Sequence, residues 1–316
     1  MRKKIRPIIL AGGIGKRLLP LSTKSNPKQF IPIFKDLSLF DLTLQRVNNN
    51  LFKKPIVVTS KDYLNKVLES LERTGIESKI VILEPESKNT LAAITSAVYL
   101  QSKNTENENF IVLPSDHYIS INKKFFEACK NAFKGLNQDN LILFGVKPRY
   151  PSTEFGYIKS SKEIPEKVDY FIEKPDSIKA KNLFKSEHVL WNSGIFLFKG
   201  KWYLRELKSI NSNFLKKIIF SVEKGKQDGI SFSLSKKAFK EIESLSFDKS
   251  FTEKCRNISM LILEAGWSDL GSWFSLGSLE SARDSSYSLF QNELNSKIER
   301  PWGYFKVLME TNFSKV

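Results

Sequence analysis

Five short apolar runs, separated by longer amphipathic stretches, dominate the first half of the chain. They are Ile8-Ile9-Leu10, Ile56-Val57-Val58, Ile80-Val81-Ile82-Leu83, Phe110-Ile111-Val112-Leu113 and Leu141-Ile142-Leu143-Phe144. Runs this short and this continuously apolar read as strands buried on both faces. The intervening segments carry helical periodicity. Leu91, Ile94 and Val98 fall at i, i+3 and i+7, and Phe125, Ala128 and Ala132 repeat the spacing. Such alternation predicts an α/β fold: a Rossmann-like, doubly wound, mixed and mostly parallel sheet with helices on both faces. Sheets of this kind bind ligands beyond the carboxyl ends of their strands, so the loops after each run are where chemistry is expected.

The second half is less regular. Tyr170-Phe171-Ile172, Gly194-Ile195-Phe196-Leu197-Phe198 and Ile258-Ser259-Met260-Leu261-Ile262-Leu263 read as strands. Residues 201–245 read as helices with exposed lysines, and the polar, Ser/Asn-rich residues 281–297 as a linker.

Composition narrows the function classes. Fifty Lys and Arg against 34 Asp and Glu give a net charge of +16. The lysines are scattered rather than blocked, which reads as solvated faces and argues against a specific nucleic-acid partner. Cys129 and Cys255 lack C-x-x-C spacing, which disfavours a disulfide framework and fits a reducing cytoplasm. His117 and His188 are the only histidines, which excludes a multi-histidine metal site. No apolar run approaches the roughly 18 residues a membrane span needs. The basic start Met1-Arg2-Lys3-Lys4 leads into too short an apolar stretch for a secretion signal. A cytoplasmic protein with no membrane partner is expected.

The first run ends in Leu10-Ala11-Gly12-Gly13-Ile14-Gly15-Lys16-Arg17. A glycine-rich turn lets backbone N–H groups approach a polyanion, and Lys16 and Arg17 add charge beside it. It is not the G-x-x-x-x-G-K-[ST] loop of P-loop ATPases, because Lys16 is followed by Arg17. It is not the G-x-G-x-x-G dinucleotide fingerprint either, because Leu18 holds the third glycine position. A glycine turn with two surface cations would satisfy the turn alone.

Asn26-Pro27-Lys28-Gln29-Phe30 follows within one loop length. The glycine turn with P-K-Q-F resembles the signature of the sugar-1-phosphate nucleotidylyltransferases, in the version of the mannose-1-phosphate guanylyltransferase branch. The resemblance continues in order along the chain. It is carried by Leu83-Glu84-Pro85 with Asn89-Thr90, by Leu113-Pro114-Ser115-Asp116-His117, by Phe155-Gly156-Tyr157-Ile158 and by Phe171-Ile172-Glu173-Lys174-Pro175. Trp191-Asn192-Ser193-Gly194, Ser246-Phe247-Asp248 with Glu253-Lys254, and Trp267-Ser268-Asp269-Leu270-Gly271-Ser272-Trp273 complete it.

The resemblance implies a nucleotidyltransferase, glycosyltransferase-A-like fold, and the reaction of GTP with α-mannose 1-phosphate to GDP-mannose and pyrophosphate. It implies Mg²⁺ held by Asp116 and Asp269, with hard oxygen donors suited to that ion. Arg17 would hold the leaving phosphates and Lys28 would stabilise charge in the transition state. The nucleotide would lie against Leu10, Ala11, Gly12, Gly13, Gly15, Lys16, Arg17 and Lys28, with Glu84, Asn89 and Thr90 at the base or ribose. A carboxylate at Glu84 can accept from the N1–H and N2–H₂ of guanine, a donor pair that adenine and thymine lack. Lys174 would take the sugar phosphate, while Glu173, Asn192, Asp248 and the Gly156 backbone would line the sugar pocket. His117 is expected to make a structural hydrogen bond, and the aromatics around Trp191 and Tyr203 to be core.

Some positions depart from the branch. Leu19 stands where Trp is frequent, Leu91-Ala92-Ala93 follows Asn89-Thr90, and Lys88 stands where Arg is common. Residues 1–283 are expected to form the catalytic domain. Residues 284–316 would be a linker and the truncated start of a cupin-like isomerase domain, marked by Arg300-Pro301-Trp302-Gly303-Tyr304-Phe305. No isomerase activity is expected from so short a piece, and assembly as a homo-oligomer is left open. Two other readings stand beside the first: transfer to another sugar 1-phosphate of the heptose or glucose type, and a non-catalytic homologue.

Overall fold

A computed structural model describes residues 4–13, 15, 18, 22–34, 36–103, 108–136, 139–161 and 167–271. Lys16, Arg17 and the 284–316 region lie outside the described residues.

The chain opens with β1 (Ile5–Leu10), followed by the small hairpin β2 (Pro32–Phe34) and β3 (Leu37–Ser38). Next come α1 (Leu39–Val47), β4 (Ile56–Ser60), α2 (Leu64–Thr74), β5 (Ile80–Glu84) and α3 (Asn89–Ser102). After them run β6 (Asn109–Pro114), β7 (Tyr118–Ile119), α4 (Asn122–Gly135) and β8 (Leu141–Val146). The second half contains β9 (Tyr157–Ser160), β10 (Val168–Ile172), α5 (Ser177–Lys185), β11 (Val189–Lys199), α6 (Gly200–Ile210) and α7 (Ser212–Glu223). It closes with β12 (Lys226–Asp228), β13 (Ser231–Ser233), α8 (Lys236–Lys240), α9 (Phe247–Ser250), β14 (Ile258–Ile262) and β15 (Trp267–Ser268).

All five apolar runs of the first half are strands. Four of them lie side by side in the order β6-β1-β4-β5, every neighbour parallel. Alternation along each strand sends side chains to two cores. Ile5, Ile9 and Val57 face one, with Phe40, Leu44, Val67 and Phe125 from α1, α2 and α4. Ile8, Ile56 and Val58 face the other, with Ile94, Trp202 and Phe214 from α3, α6 and α7. The sheet is doubly wound as expected. Cys129 is buried in α4, and burial pushes its thiol up.

The second half makes the sheet mixed. The long β11 pairs antiparallel with β6, β8 and β9. The expectation of helices throughout 201–245 is corrected: β12 and β13 form an antiparallel hairpin at residues 226–233, and β13 joins β5 in parallel. Buried Phe232 anchors that hairpin, while β12 is exposed along its length. Among the described residues, no helix is long and apolar enough to cross a membrane.

Candidate active site

The carboxyl ends of β1, β4, β5 and β6 open on one cavity of about 410 Å³, bounded by Gly12, Gly13, Gln29, Glu84, Asp116 and Asp248 among others. A wider cleft of about 900 Å³ near Arg149 and Glu264 holds none of the sequence-predicted site residues. The smaller cavity is the one that sequence-predicted site residues line: Leu10, Gly12, Gly13, Glu84, Asn89, Thr90, Asp116 and Asp248.

Lys28 begins the 3₁₀ turn Lys28–Phe30 and is only 3% exposed. Its Nζ donates to Asp116 Oδ2 at 3.1 Å and to the backbone carbonyl of Asp269. One buried ammonium thus ties together residues 88 and 241 positions away in sequence. Gly15 has φ +74°, and a Cβ there would stand 2.6 Å from the Cβ of Lys28. Only glycine meets both demands. The glycine turn is fitted directly against the lysine stem.

Asp116 lies just past the end of β6. Burial raises its carboxyl pKa, but the Lys28 ammonium and the hydrogen bond from it pull the other way, and the carboxyl is held down at about 2. The carboxylate is ionised at any pH near neutrality. His117 accepts at Nδ1 from the Trp267 indole N–H at 3.2 Å, and the rings meet edge-on. Burial lowers the His117 pKa, which agrees with a neutral imidazole accepting that bond. The pairing of β7 with β15 draws the 267–269 segment against the 116–119 segment. Register thus brings Asp269 to the mouth of β6.

On one side of this centre stands Glu84, the last residue of β5. It is 7% exposed, its Oε1 has no hydrogen-bond partner, and burial pushes its carboxyl up to about 8. It faces the glycine turn across the cavity, where a Cβ added at Gly12 would lie 3.7 Å from Glu84 Oε2. Asn89 starts α3 with φ +65°, its side-chain oxygen accepting from the Thr90 N–H at 2.9 Å. Both residues line the cavity. The Thr90 hydroxyl also accepts from the Phe247 N–H at 2.8 Å, tying this wall to α9.

On the other side, an irregularity in β11 between Asn192 and Phe196 re-aims Asn192. Its Nδ2 donates to Asp248 Oδ1 at 2.6 Å and its Oδ1 accepts from Gly194 N–H at 3.1 Å. Burial raises the pKa of Asp248. Glu173 and Lys174 follow β10, and the turn gives Lys174 φ +45°. The chain bends here, so the two neighbours escape strict strand alternation. Their charged ends lie 3.7 Å apart, Glu173 mostly buried and Lys174 mostly exposed. Burial, then the charge of Asp248, pushes Glu173 up to about 7. Gly156 is needed for space: a Cβ would come within 2.6 Å of Glu173 Oε2.

Three residues escaped the sequence reading. Gln29 and Thr59 bond to carbonyls of the glycine turn. Glu253 Oε1 accepts from the Glu173 N–H at 2.9 Å and steadies the turn that carries Lys174. Each acts on backbone atoms, a role that sequence does not show. Gln29 stood inside P-K-Q-F and Glu253 inside Glu253-Lys254, and neither had been given a role.

The carboxyl edge of this doubly wound sheet thus carries a glycine turn, a buried lysine and two aspartates. Residues 6–285 match the nucleotidyl transferase family, and the chain belongs to that family. It is 37% identical over 273 residues to the xanthan biosynthesis protein XanB of Xanthomonas campestris, a match covering 86% of this chain and 58% of that protein. It is 34% identical over 302 residues to a mannose-1-phosphate guanylyltransferase of Salmonella muenchen, covering 93% of this chain and 64% of that one. The chain thus spans about three fifths of the length of these curated relatives. The fold is similar to that of a crystal structure titled mannose-6-phosphate isomerase from Helicobacter pylori. The TM-score is 0.75 at 32% identity, covering 84% of this chain and 99% of that one.

Proposed function

We propose that the chain transfers a guanylyl group from GTP to α-D-mannose 1-phosphate, forming GDP-mannose and pyrophosphate. The observation that carries this reading is the buried Lys28 ammonium bound to both Asp116 and Asp269, between a base-side acid and a sugar-side polar cluster. In the reaction, an oxygen of the sugar phosphate bonds to the α-phosphorus of GTP. The bond from that phosphorus to the bridging oxygen breaks, and pyrophosphate leaves with the electron pair. A phosphate monoester is already ionised near neutral pH, so no side chain need remove a proton. The work is to align two anions and offset their charge. Lys28 supplies a fixed, desolvated cation where negative charge builds.

Asp116 and Asp269 would hold a magnesium ion. The fit rests on the donor set: Asp116 is an ionised carboxylate, Asp269 is brought beside it where its backbone carbonyl meets the same Lys28 ammonium, and Mg²⁺ takes one or two carboxylates with phosphates and waters. Bound there, the ion would neutralise phosphate charge. Glu84 would read the base as a carboxylate: burial holds it protonated near neutral pH, and the N1–H and N2–H₂ donors of guanine would favour its ionised form, release that proton and occupy its unpartnered oxygen. Lys174 takes the sugar phosphate, and Glu173, Asn192 and Asp248 take sugar hydroxyls. Arg17 completes the charge clamp on the leaving phosphates.

The test is product identification by mass spectrometry after incubation with GTP, Mg²⁺ and a panel of sugar 1-phosphates. GDP-mannose as the main product supports the reading. A GDP-sugar formed only from a heptose or glucose phosphate moves the substrate and keeps the site. No nucleotide sugar from any pair contradicts the reading.

A further inference from the structure

We propose that Gln29 and Thr59 are positioning residues that set the phosphate-binding turn in its anion-ready shape before nucleotide arrives, an inference resting on the nucleotidyl transfer reading above. Gln29 is fully enclosed beside Lys28, and its Nε2 donates to the carbonyls of Ala11 at 3.1 Å and Gly13 at 2.8 Å. Thr59, buried at the end of β4, donates its hydroxyl to the same Ala11 carbonyl at 2.9 Å. Ser22 donates to the carbonyl of Gly15 at 2.5 Å. Three alternate carbonyls of one turn, at positions 11, 13 and 15, are therefore each held by an enclosed side chain.

A trans peptide directs its N–H opposite to its carbonyl. Pinning the Ala11 carbonyl against Gln29 and Thr59 thus turns the Gly12 N–H away from them, and both Gly12 and Gly13 line the cavity. Backbone N–H groups presented together form an anion-binding concavity. Glycines left unpinned would sample both signs of φ, and binding would then have to order them. Gln29 also follows Lys28 directly in the same 3₁₀ turn. One short segment thereby sets both the turn and the cation in register with the same polyphosphate.

The test uses the full chain and two probes, inorganic pyrophosphate and GTP, by titration calorimetry, with KM values for both substrates. Gln29→Met keeps length and removes the donors. Thr59→Val keeps shape and removes the hydroxyl, while Thr59→Ser restores it. Gln29→Met is expected to weaken pyrophosphate and GTP binding about tenfold and Thr59→Val about threefold, with Thr59→Ser within about twofold of wild type. The KM for the sugar 1-phosphate should stay within about twofold, a split that general loosening of the fold would not produce. Unchanged pyrophosphate affinity in both deletions, or equal rises in KM for both substrates, overturns the proposal. If Gln29→Met does not fold, the Thr59→Val and Thr59→Ser pair decides. A wild type that binds pyrophosphate but makes no nucleotide sugar counts against the substrate reading alone. A wild type that binds no pyrophosphate counts against this proposal.

Discussion

Glu84→Gln should make the protein more stable at pH 8 and less selective for its base. The side chain is enclosed at the end of β5 with an unpartnered oxygen, and burial raises its pKa from 4.5 to about 8. Between those values the unfolded chain has released this proton and the folded chain still holds it. Stability is therefore lost progressively as pH rises from 4.5 to 8. At roughly 1.4 kcal/mol per pH unit the ceiling of the penalty is ~5 kcal/mol. Relaxation and water entry reduce it, so about 2 kcal/mol is the working expectation. For a domain of this size that corresponds to a Tm difference of about 3 °C. Glutamine has the same shape and no titration. Its buried amide carries a cost of its own, but one that does not vary with pH. The assay is thermal unfolding of both proteins at pH 4.5, 6, 7 and 8. The gap in Tm should move in favour of the variant as pH rises. A constant gap refutes the reasoning, because it would mean that the carboxyl is not desolvated. In turnover assays the same variant should lose GTP-over-ATP preference by roughly 10- to 100-fold, since an amide cannot accept both guanine donors.

Three further outcomes follow from the geometry. Lys28→Met should lower kcat by about 10²–10³-fold. Its effect on Tm should be small, because losing the Asp116 pair is offset by no longer burying the ammonium, and Asp116 keeps 38% of its side chain in solvent. Lys174→Ala should raise KM for the sugar 1-phosphate far more than for GTP, and equal effects in steady-state kinetics would contradict its placement. Gly156→Ala would drive a methyl to 2.6 Å from Glu173 Oε2 and 2.9 Å from the Phe171 ring, so its KM for the sugar 1-phosphate should rise at least about tenfold while GTP binding by calorimetry stays near wild type.

Parts of this architecture were written plainly in the sequence. Ile8, Val57, Ile82 and Val112 lie in strands covered on both sides, and continuous burial demands continuous apolar runs. The 226–233 hairpin was hidden for the opposite reason. Its strands are three residues long and mostly polar, and they are held by buried Phe232 and by pairing to β5. At the site, Lys28, Asp116, Glu173 and Asp248 stand inside sequence motifs, and the structure bonds Lys28 to Asp116 and sets Asp116 and Asp248 on one cavity. Thr59 stands in no motif, and Gln29 and Glu253 stood in motifs without a role, because all three hold backbone groups that only the fold brings near. Thr90 illustrates the boundary: sequence placed it at the nucleotide, and the structure adds a hydrogen bond from Phe247 to its hydroxyl.

The most direct test of the central claim is pyrophosphate release by the purified protein. It should be followed with Mg²⁺ and mannose 1-phosphate across GTP, ATP, UTP and dTTP, with Asp116→Asn alongside. The account predicts release with GTP well above the other nucleotides, and at least about 10²-fold less in the variant. Equal release from all four nucleotides would contradict the role of Glu84. Release undiminished in Asp116→Asn would contradict the charge centre on which the account rests.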